Sequence, residues 1–244
     1  MVSHDEAGKL GGGQTYATVY SRSFLNLFYD YYVLSFNMRF WGCPTSVLLP
    51  FFTENFSRNH LDCGVATGWF PSEALGRPFR KHGKQQLALL DINPNSLKAA
   101  ETRVLATTTA TTTQCIEADV TLPPPAALAD KKFTSISMFN LFHCMPGGKE
   151  KFTKTFATIS KLLAEDGVLS GCTVLGPKAT TSWTIKFYLK WYNDWWGVFN
   201  NKDDTREDLE EALKREFEEV ETTLVGLMLL FRATKPRTET NLVA

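Results

Sequence analysis

Between positions 61 and 70 the chain reads Leu61-Asp62-Cys63-Gly64-Val65-Ala66-Thr67-Gly68-Trp69-Phe70, an acid followed by small residues at every second position. Small residues let a backbone turn sharply and approach a bound molecule closely. Where such a turn leaves a strand and opens a helix, here near Pro71, an open α/β sheet binds nucleotide-like ligands. The spacing narrows the chemistry. A dinucleotide fingerprint would place glycines at 64, 66 and 69, but Ala66 and Trp69 stand there, and tryptophan is too bulky for the helix packing that fingerprint needs. A phosphate-binding loop would close on Gly-Lys-Ser/Thr, which is absent. Hydride and phosphoryl transfer therefore have no support at this turn.

Two further acids stand where the next strands are expected to end, in Leu89-Leu90-Asp91-Ile92-Asn93-Pro94 and in Ala118-Asp119-Val120. Taken singly, Asp62 could cap a turn, Asp91 could pair with a helix dipole, and Asp119 could be a solvated turn residue. Together with the glycine turn they resemble the class I S-adenosylmethionine-dependent methyltransferases of the small-molecule type. The first motif of that family is acidic-x-Gly-x-Gly-x-Gly; Asp62, Gly64 and Gly68 match it and Ala66 replaces the middle glycine.

The resemblance implies S-adenosylmethionine as cofactor, with S-adenosylhomocysteine as product. It sets Asp62 near the cofactor's amino group and Gly64, Ala66 and Gly68 along its methionine portion. Asp91 would accept hydrogen bonds from both ribose hydroxyls, a task suited to a group that only accepts. Ile92 would pack on adenine, with Asp119 near the adenine amino group and the Val120 backbone beside the ring. Phe139-Asn140-Leu141-Phe142-His143-Cys144 is similar to the segment beneath the transferred methyl, which brings Asn140 to the cofactor. The likeness runs from Leu61 to Lys235.

His143 is the candidate general base, since histidine takes protons near neutral pH; its alternative is a hydrogen-bonded wall residue. Methyl transfer can also proceed without a base, by holding nucleophile and methyl in line. Cys63 and Cys144 read as packing. The histidines (His4, His60, His82, His143) show no ligand spacing, so no metal is expected.

The elements that must position these groups follow from periodicity. Short apolar runs at His60–Gly64, Gln86–Asp91, Gln114–Asp119, Thr134–Asn140 and Gly167–Leu175 read as buried strands alternating with helices. Asn93-Pro94 starts a helix with Leu97, Ala100 and Val104 inward; Phe152, Phe156, Ile159 and Leu163 mark another, ended by Gly167. Thr205 and Asp208 form a capping box before Leu209, Leu213 and Phe217. Runs at Val220–Val225 and Leu227–Ala233, separated by Gly226, can only pair antiparallel. The threonine-rich stretch 106–113 and the prolines 123–125 read as surface connections. The expected fold is α/β: a Rossmann-like, seven-stranded, mostly parallel sheet with the last strand antiparallel, helices on both faces and a helical substrate lid.

One domain is expected over 16–244 behind a flexible tail at 1–15. It carries an N-terminal helical cap (16–58) and a lid insertion (176–204) at the place where the family builds substrate lids. Tyr188, Trp191 and Trp195 on the lid, and Tyr20 and Tyr32 on the cap, are the expected substrate contacts, their rings suiting a flat apolar acceptor and a sulfonium.

Lys+Arg and Asp+Glu both count 26, which argues against a nucleic-acid partner. Scattered, odd-numbered cysteines and a polar start fit a cytoplasmic protein with no membrane span, either monomer or homodimer. The expected reaction is methyl transfer to O, N or C of a small, largely apolar or aromatic metabolite, as in compact enzymes that tailor natural products. A cyclisation or rearrangement on the same fold, or a non-catalytic binding protein, stands as the alternative.

Overall fold

The computed structural model describes residues 30–80, 84–108 and 111–237. The expected tail (1–15) and residues 16–29 of the expected cap, Tyr20 among them, lie outside these residues. A π-helical segment, Asp30–Asn37, runs into the short helix α1 (Met38–Phe40), and α2 (Thr45–Glu54) follows Pro44. The alternating part comprises β1 (Asn59–Cys63), α3 (Trp69–Leu75), β2 (Gln85–Asp91), α4 (Pro94–Thr107), β3 (Thr111–Glu117), β4 (Phe133–Phe139), α5 (Glu150–Leu162) and β5 (Leu163–Val174). The segment 176–204, the expected lid, holds α6 (Trp183–Lys190) and a π turn, Trp191–Trp195, before α7 (Arg206–Glu216), β6 (Phe217–Val225) and β7 (Met228–Pro236).

The strands form one sheet in the order β3-β2-β1-β4-β5-β7-β6. β1 to β5 are mutually parallel and β7 runs antiparallel to both β5 and β6. Chain order reverses between β1 and β4, which opens a crevice at the carboxyl ends of those strands. The sheet is the one expected from the alternation, and its helices form groups, α3 packing on α4 and α5 on α7.

Caps fall where the sequence implied. The Asn93 side chain accepts the Asn95 N–H at 2.9 Å with Pro94 in the first turn of α4, and Thr205 accepts the Asp208 N–H at 3.1 Å. Other boundaries differ. The threonines at 111–113 are not a connection but the start of β3, paired to Gln85–Leu87, because β-branched side chains suit a half-covered edge strand. α5 stops at Leu162, and Gly167 sits inside β5, whose register against β4 shifts between Phe133 and Ser135 to accommodate the exposed Glu165 and Asp166. Phe217, expected on a helix, begins β6 while remaining buried.

Two aromatic clusters fill the core. Phe52, Phe56, Phe70 and Phe139 pack between α2, α3 and the sheet, and Phe142, Phe152, Phe156 and Phe231 pack between α5 and the sheet. The first includes Phe139, at the carboxyl end of β4, and the second Phe142, three residues beyond it.

Candidate functional site

The glycine turn leaves β1 with Gly64, Ala66 and Gly68 all in left-handed backbone conformations, at φ of +74°, +45° and +68°. A Cβ at Gly68 would stand 2.7 Å from the Ala100 Cα on α4, and one at Gly64 would meet the Leu141 side chain at 2.7 Å. The turn is therefore threaded between α4 and the exit of β4, and only glycine fits at these two points.

β1 and β2 run in register with Cys63 beside Leu90, so Asp62 and Asp91 finish adjacent strands. The Asp91 carboxylate accepts the Asn93 N–H at 2.9 Å and also faces the backbone N–H groups of Ala66, Val65 and Ile92. Burial pushes it up to about 6, against the pull of those donors. The acid of β2 and the turn after β1 thus touch each other. Next to the buried Asp91, the Ile92 side chain is 45% exposed, an apolar surface that the protein itself leaves uncovered.

Asp62 is buried and accepts a hydrogen bond from the Ser137 hydroxyl on β4. Burial raises it to about 7; the Ser137 bond opposes the rise and the Asp91 charge adds to it. Behind it, Ser137 Oγ lies 2.8 Å from His60 Nε2, and His60 Nδ1 lies 2.6 Å from Ser135 Oγ. Sequence reasoning missed this cluster because its alternation, His60 with Asp62 and Ser135 with Ser137, reads as ordinary strand until the pairing of β1 with β4 is known.

Asp119 is brought to the neighbouring strand end, the Ala118 N–H donating to the Asp91 carbonyl at 3.2 Å. Its Oδ1 is used locally, accepting the Thr121 N–H at 2.8 Å and the Thr121 hydroxyl at 2.7 Å, and Val120 is buried. Asn140 directly follows β4 at φ +57°, its N–H donating to the Cys172 carbonyl. A non-glycine residue held there points to a constrained turn at the crevice.

His143 is buried, and its Nδ1 accepts the Val174 N–H at 3.3 Å. Burial, with help from Lys151, lowers it to about 3. That bond puts the imidazole proton on Nε2, so the ring can donate a hydrogen bond from that nitrogen but offers no lone pair there. Lys151 and Asp204, both fully buried, pair at 2.7 Å, and Lys151 also donates to the carbonyls of Met145 and Asn200. This lock ties the lid's end to the turn after β4.

The cap and the lid meet directly rather than as opposed walls. Tyr32 and Tyr192 hydroxyls lie 2.9 Å apart, Tyr192 donates to Asn37 at 3.0 Å, and Phe40 packs on Tyr188 at 4.4 Å. Trp191 and Trp195 pack against each other at a tilt of 58°, with centroids 4.8 Å apart, on an exposed face with Phe187. Tyr192, Phe199 and Trp41, the last with no signal of its own in the sequence, fill the interior between them. Asp30, on the π-helical segment, accepts from Thr67 at 2.6 Å and pairs with Arg103 at 2.6 Å, fastening the cap to the glycine turn.

Among the described residues no cluster of histidine, cysteine and acidic side chains could hold a metal, and no helix is long and apolar enough to cross a membrane.

The model of the methyltransferase domain family matches residues 39–225. O-methyltransferase NEC2 of Pyricularia oryzae is 51% identical, with 93% of this chain and 94% of that protein covered. Methyltransferase verB of Penicillium polonicum is 39% identical over 86% of this chain and 93% of its own. Among solved structures, the N-methyltransferase NodS from Bradyrhizobium japonicum, in complex with S-adenosyl-L-homocysteine, shares the fold at a TM-score of 0.54. It is 15% identical, with 79% of this chain and 86% of that one covered. With the sheet order, the glycine turn and the paired strand-end acids, these likenesses agree: the chain belongs to the methyltransferase domain family and is a class I, S-adenosylmethionine-dependent methyltransferase.

Proposed function

We propose that this enzyme methylates an oxygen of a small, largely aromatic natural product. The observation that carries the reading is the contact between the Asp91 carboxylate and the backbone of Val65 and Ala66, which makes one continuous cradle of the turn and the second strand's acid. The residues fit the cofactor. Asp91 would accept from the ribose hydroxyls, Ile92 would lie under the adenine with Val120 at its edge, and Asp119 would use its remaining oxygen. Gly64, Ala66, Gly68 and Asn140 would line the methionine portion, and Asp62 would face its ammonium. When bound, S-adenosylmethionine supplies an electrophilic methyl on a sulfonium.

Oxygen is favoured as acceptor because a relative at 51% identity is named an O-methyltransferase, and another is named for a physcion biosynthesis cluster. The lid and cap then act as a substrate enclosure, with Tyr32, Tyr188 and Tyr192 at their seam and Trp191 and Trp195 at its outer rim. His143 would serve as a wall and hydrogen-bond donor, leaving approximation as the main source of acceleration. Incubating the protein with S-adenosylmethionine and a panel of phenolic polyketides should yield a product heavier by one CH2, a methyl having replaced the hydroxyl proton, and cleaved by demethylation chemistry specific for aryl ethers. A methylated product resistant to that cleavage would sink the oxygen assignment. Asp91→Ala should weaken S-adenosylhomocysteine binding by roughly 1–3 kcal/mol in calorimetry. An unchanged affinity would remove Asp91 from the cofactor site.

A further inference from the structure

Four hydrogen bonds in series run through the middle of the sheet into Asp62. Ser137 Oγ donates to Asp62 Oδ1, His60 Nε2 stands 2.8 Å from Ser137 Oγ, and His60 Nδ1 stands 2.6 Å from Ser135 Oγ. The Ser57 N–H donates to Ser135 Oγ at 2.8 Å. His60, Asp62, Ser135 and Ser137 are all buried, so no water competes for these groups. Phe52 and Phe56 hold the imidazole by its ring, at 5.7 Å and 4.3 Å between centroids.

A serine hydroxyl has one proton to give. When Asp62 is ionised it accepts the hydrogen bond that the Ser137 hydroxyl can donate, so Ser137 must accept from His60 Nε2–H and His60 Nδ1 must accept from Ser135. When Asp62 is protonated the three side-chain arrows can reverse while the Ser57 N–H goes on donating to Ser135, with Nδ1–H donating to Ser135 and Ser135 donating to Ser57 Oγ, 2.7 Å away. The histidine tautomer and the charge of Asp62 are thereby coupled. Burial, and the nearby Arg80 charge, lower His60 to about 3, which keeps the ring neutral in both arrangements. The other titratable groups around Asp62 are Asp91 on β2, whose charge disfavours a second one at Asp62, and Cys63 on β1, whose thiol is kept neutral by burial and by both carboxylates.

We propose that His60 and Ser137 are positioning residues for cofactor binding: they aim the Asp62 carboxylate, in its charged form, at the cofactor's α-ammonium. The proposal rests on the cofactor reading above. Neither residue touches the cofactor. A buried carboxylate against an ammonium needs its remaining lone pairs filled, and the relay fills one from inside the sheet while fixing the rotamer.

The test compares two probes on the full-length protein. S-adenosylhomocysteine carries the ammonium and 5′-methylthioadenosine lacks it. Ser137→Ala and His60→Leu should weaken the first about ten- to a hundredfold, the scale of a lost hydrogen bond to a charged group, and leave the second unchanged. His60→Gln, whose amide nitrogen reaches the Nε2 position, should recover most of the loss. Equal losses for both probes, or no loss for either, would overturn the proposal. A variant-free measurement stands beside these in case a buried substitution prevents folding. Nitrogen-15 spectra of histidine-labelled wild type should show His60 as the Nε2–H tautomer once S-adenosylhomocysteine is bound, and an Nδ1–H tautomer in that complex would equally overturn it. Wild type that binds neither probe would instead defeat the cofactor reading itself.

Discussion

Histidine at position 143 illustrates how burial changes what a residue type can do. From its type and place after β4 it was a candidate base, yet its Nδ1 is taken by the Val174 N–H and its basicity falls far below the ordinary imidazole range. His143→Asn keeps an acceptor for Val174, so kcat should stay within about tenfold of wild type in initial-rate assays, because a general base is worth 10²–10⁴. A drop of that larger size would restore the base. Asp62 carries the opposite lesson. Its carboxyl is raised to about 7, so the charged form that an ammonium requires is depleted as pH falls. S-adenosylhomocysteine affinity should therefore fall by about tenfold per unit below pH 7 and level off above it. 5′-Methylthioadenosine binding, which needs no charge at Asp62, should be flatter; calorimetry over pH 5.5–8.5 (about three units on the scale of these shifts) would expose a flat profile for both, which would exclude Asp62 as the ammonium's partner.

Elements were legible where a local rule dictated them and illegible where pairing did. The caps of α4 and α7 are short-range hydrogen bonds between residues two or three apart, so Asn93 and Thr205 announced them. The threonines of β3 had no such signal, since their strand conformation comes from the ladder to β2. The junction of α5 with β5 moved for the same reason: Leu163 belongs to the strand because it pairs with Phe133 across the sheet. Lys151 and Asp204 were equally silent, being ordinary charged residues until α5 and the lid's end close over them. Lys151→Met leaves Asp204 buried and unpaired and should cost about 3–5 kcal/mol in urea unfolding. Adding Asp204→Leu should recover a large part of that loss. A double variant no more stable than the single one would show that the lysine acts through its carbonyl contacts instead.

At the scale of the whole molecule, the parts around the three strand ends come from every region of the chain and are tied together: the expected cap to the glycine turn through Asp30 and Thr67, and the expected lid to the cap through Tyr192 and to α5 through Asp204. A ligand spanning these strand ends should stabilise the entire fold. At roughly a hundredfold over its dissociation constant, S-adenosylhomocysteine should add about 2.7 kcal/mol to the unfolding free energy. For a chain of this length that is a rise of about 5–10 °C in melting temperature, and a thermal-shift assay showing no rise would count against binding.

By itself the sequence determined the sheet and the approximate places of its strands, because alternation of apolar runs with capped helices leaves few topologies and the β6–β7 link is too short for a crossover. It also marked the turn at 64–68 and the acids at 62, 91 and 119, since small residues and carboxylates at strand ends are local signals. Only the tertiary structure decided what surrounds them. How His143 is hydrogen-bonded, whether the expected lid and cap face or touch each other, and what stands behind Asp62 all depend on burial and on partners more than thirty residues apart, as with His60 and Ser137 at a separation of 77. Those contacts exist only after β1 and β4 lie side by side, and no window along the chain contains both partners.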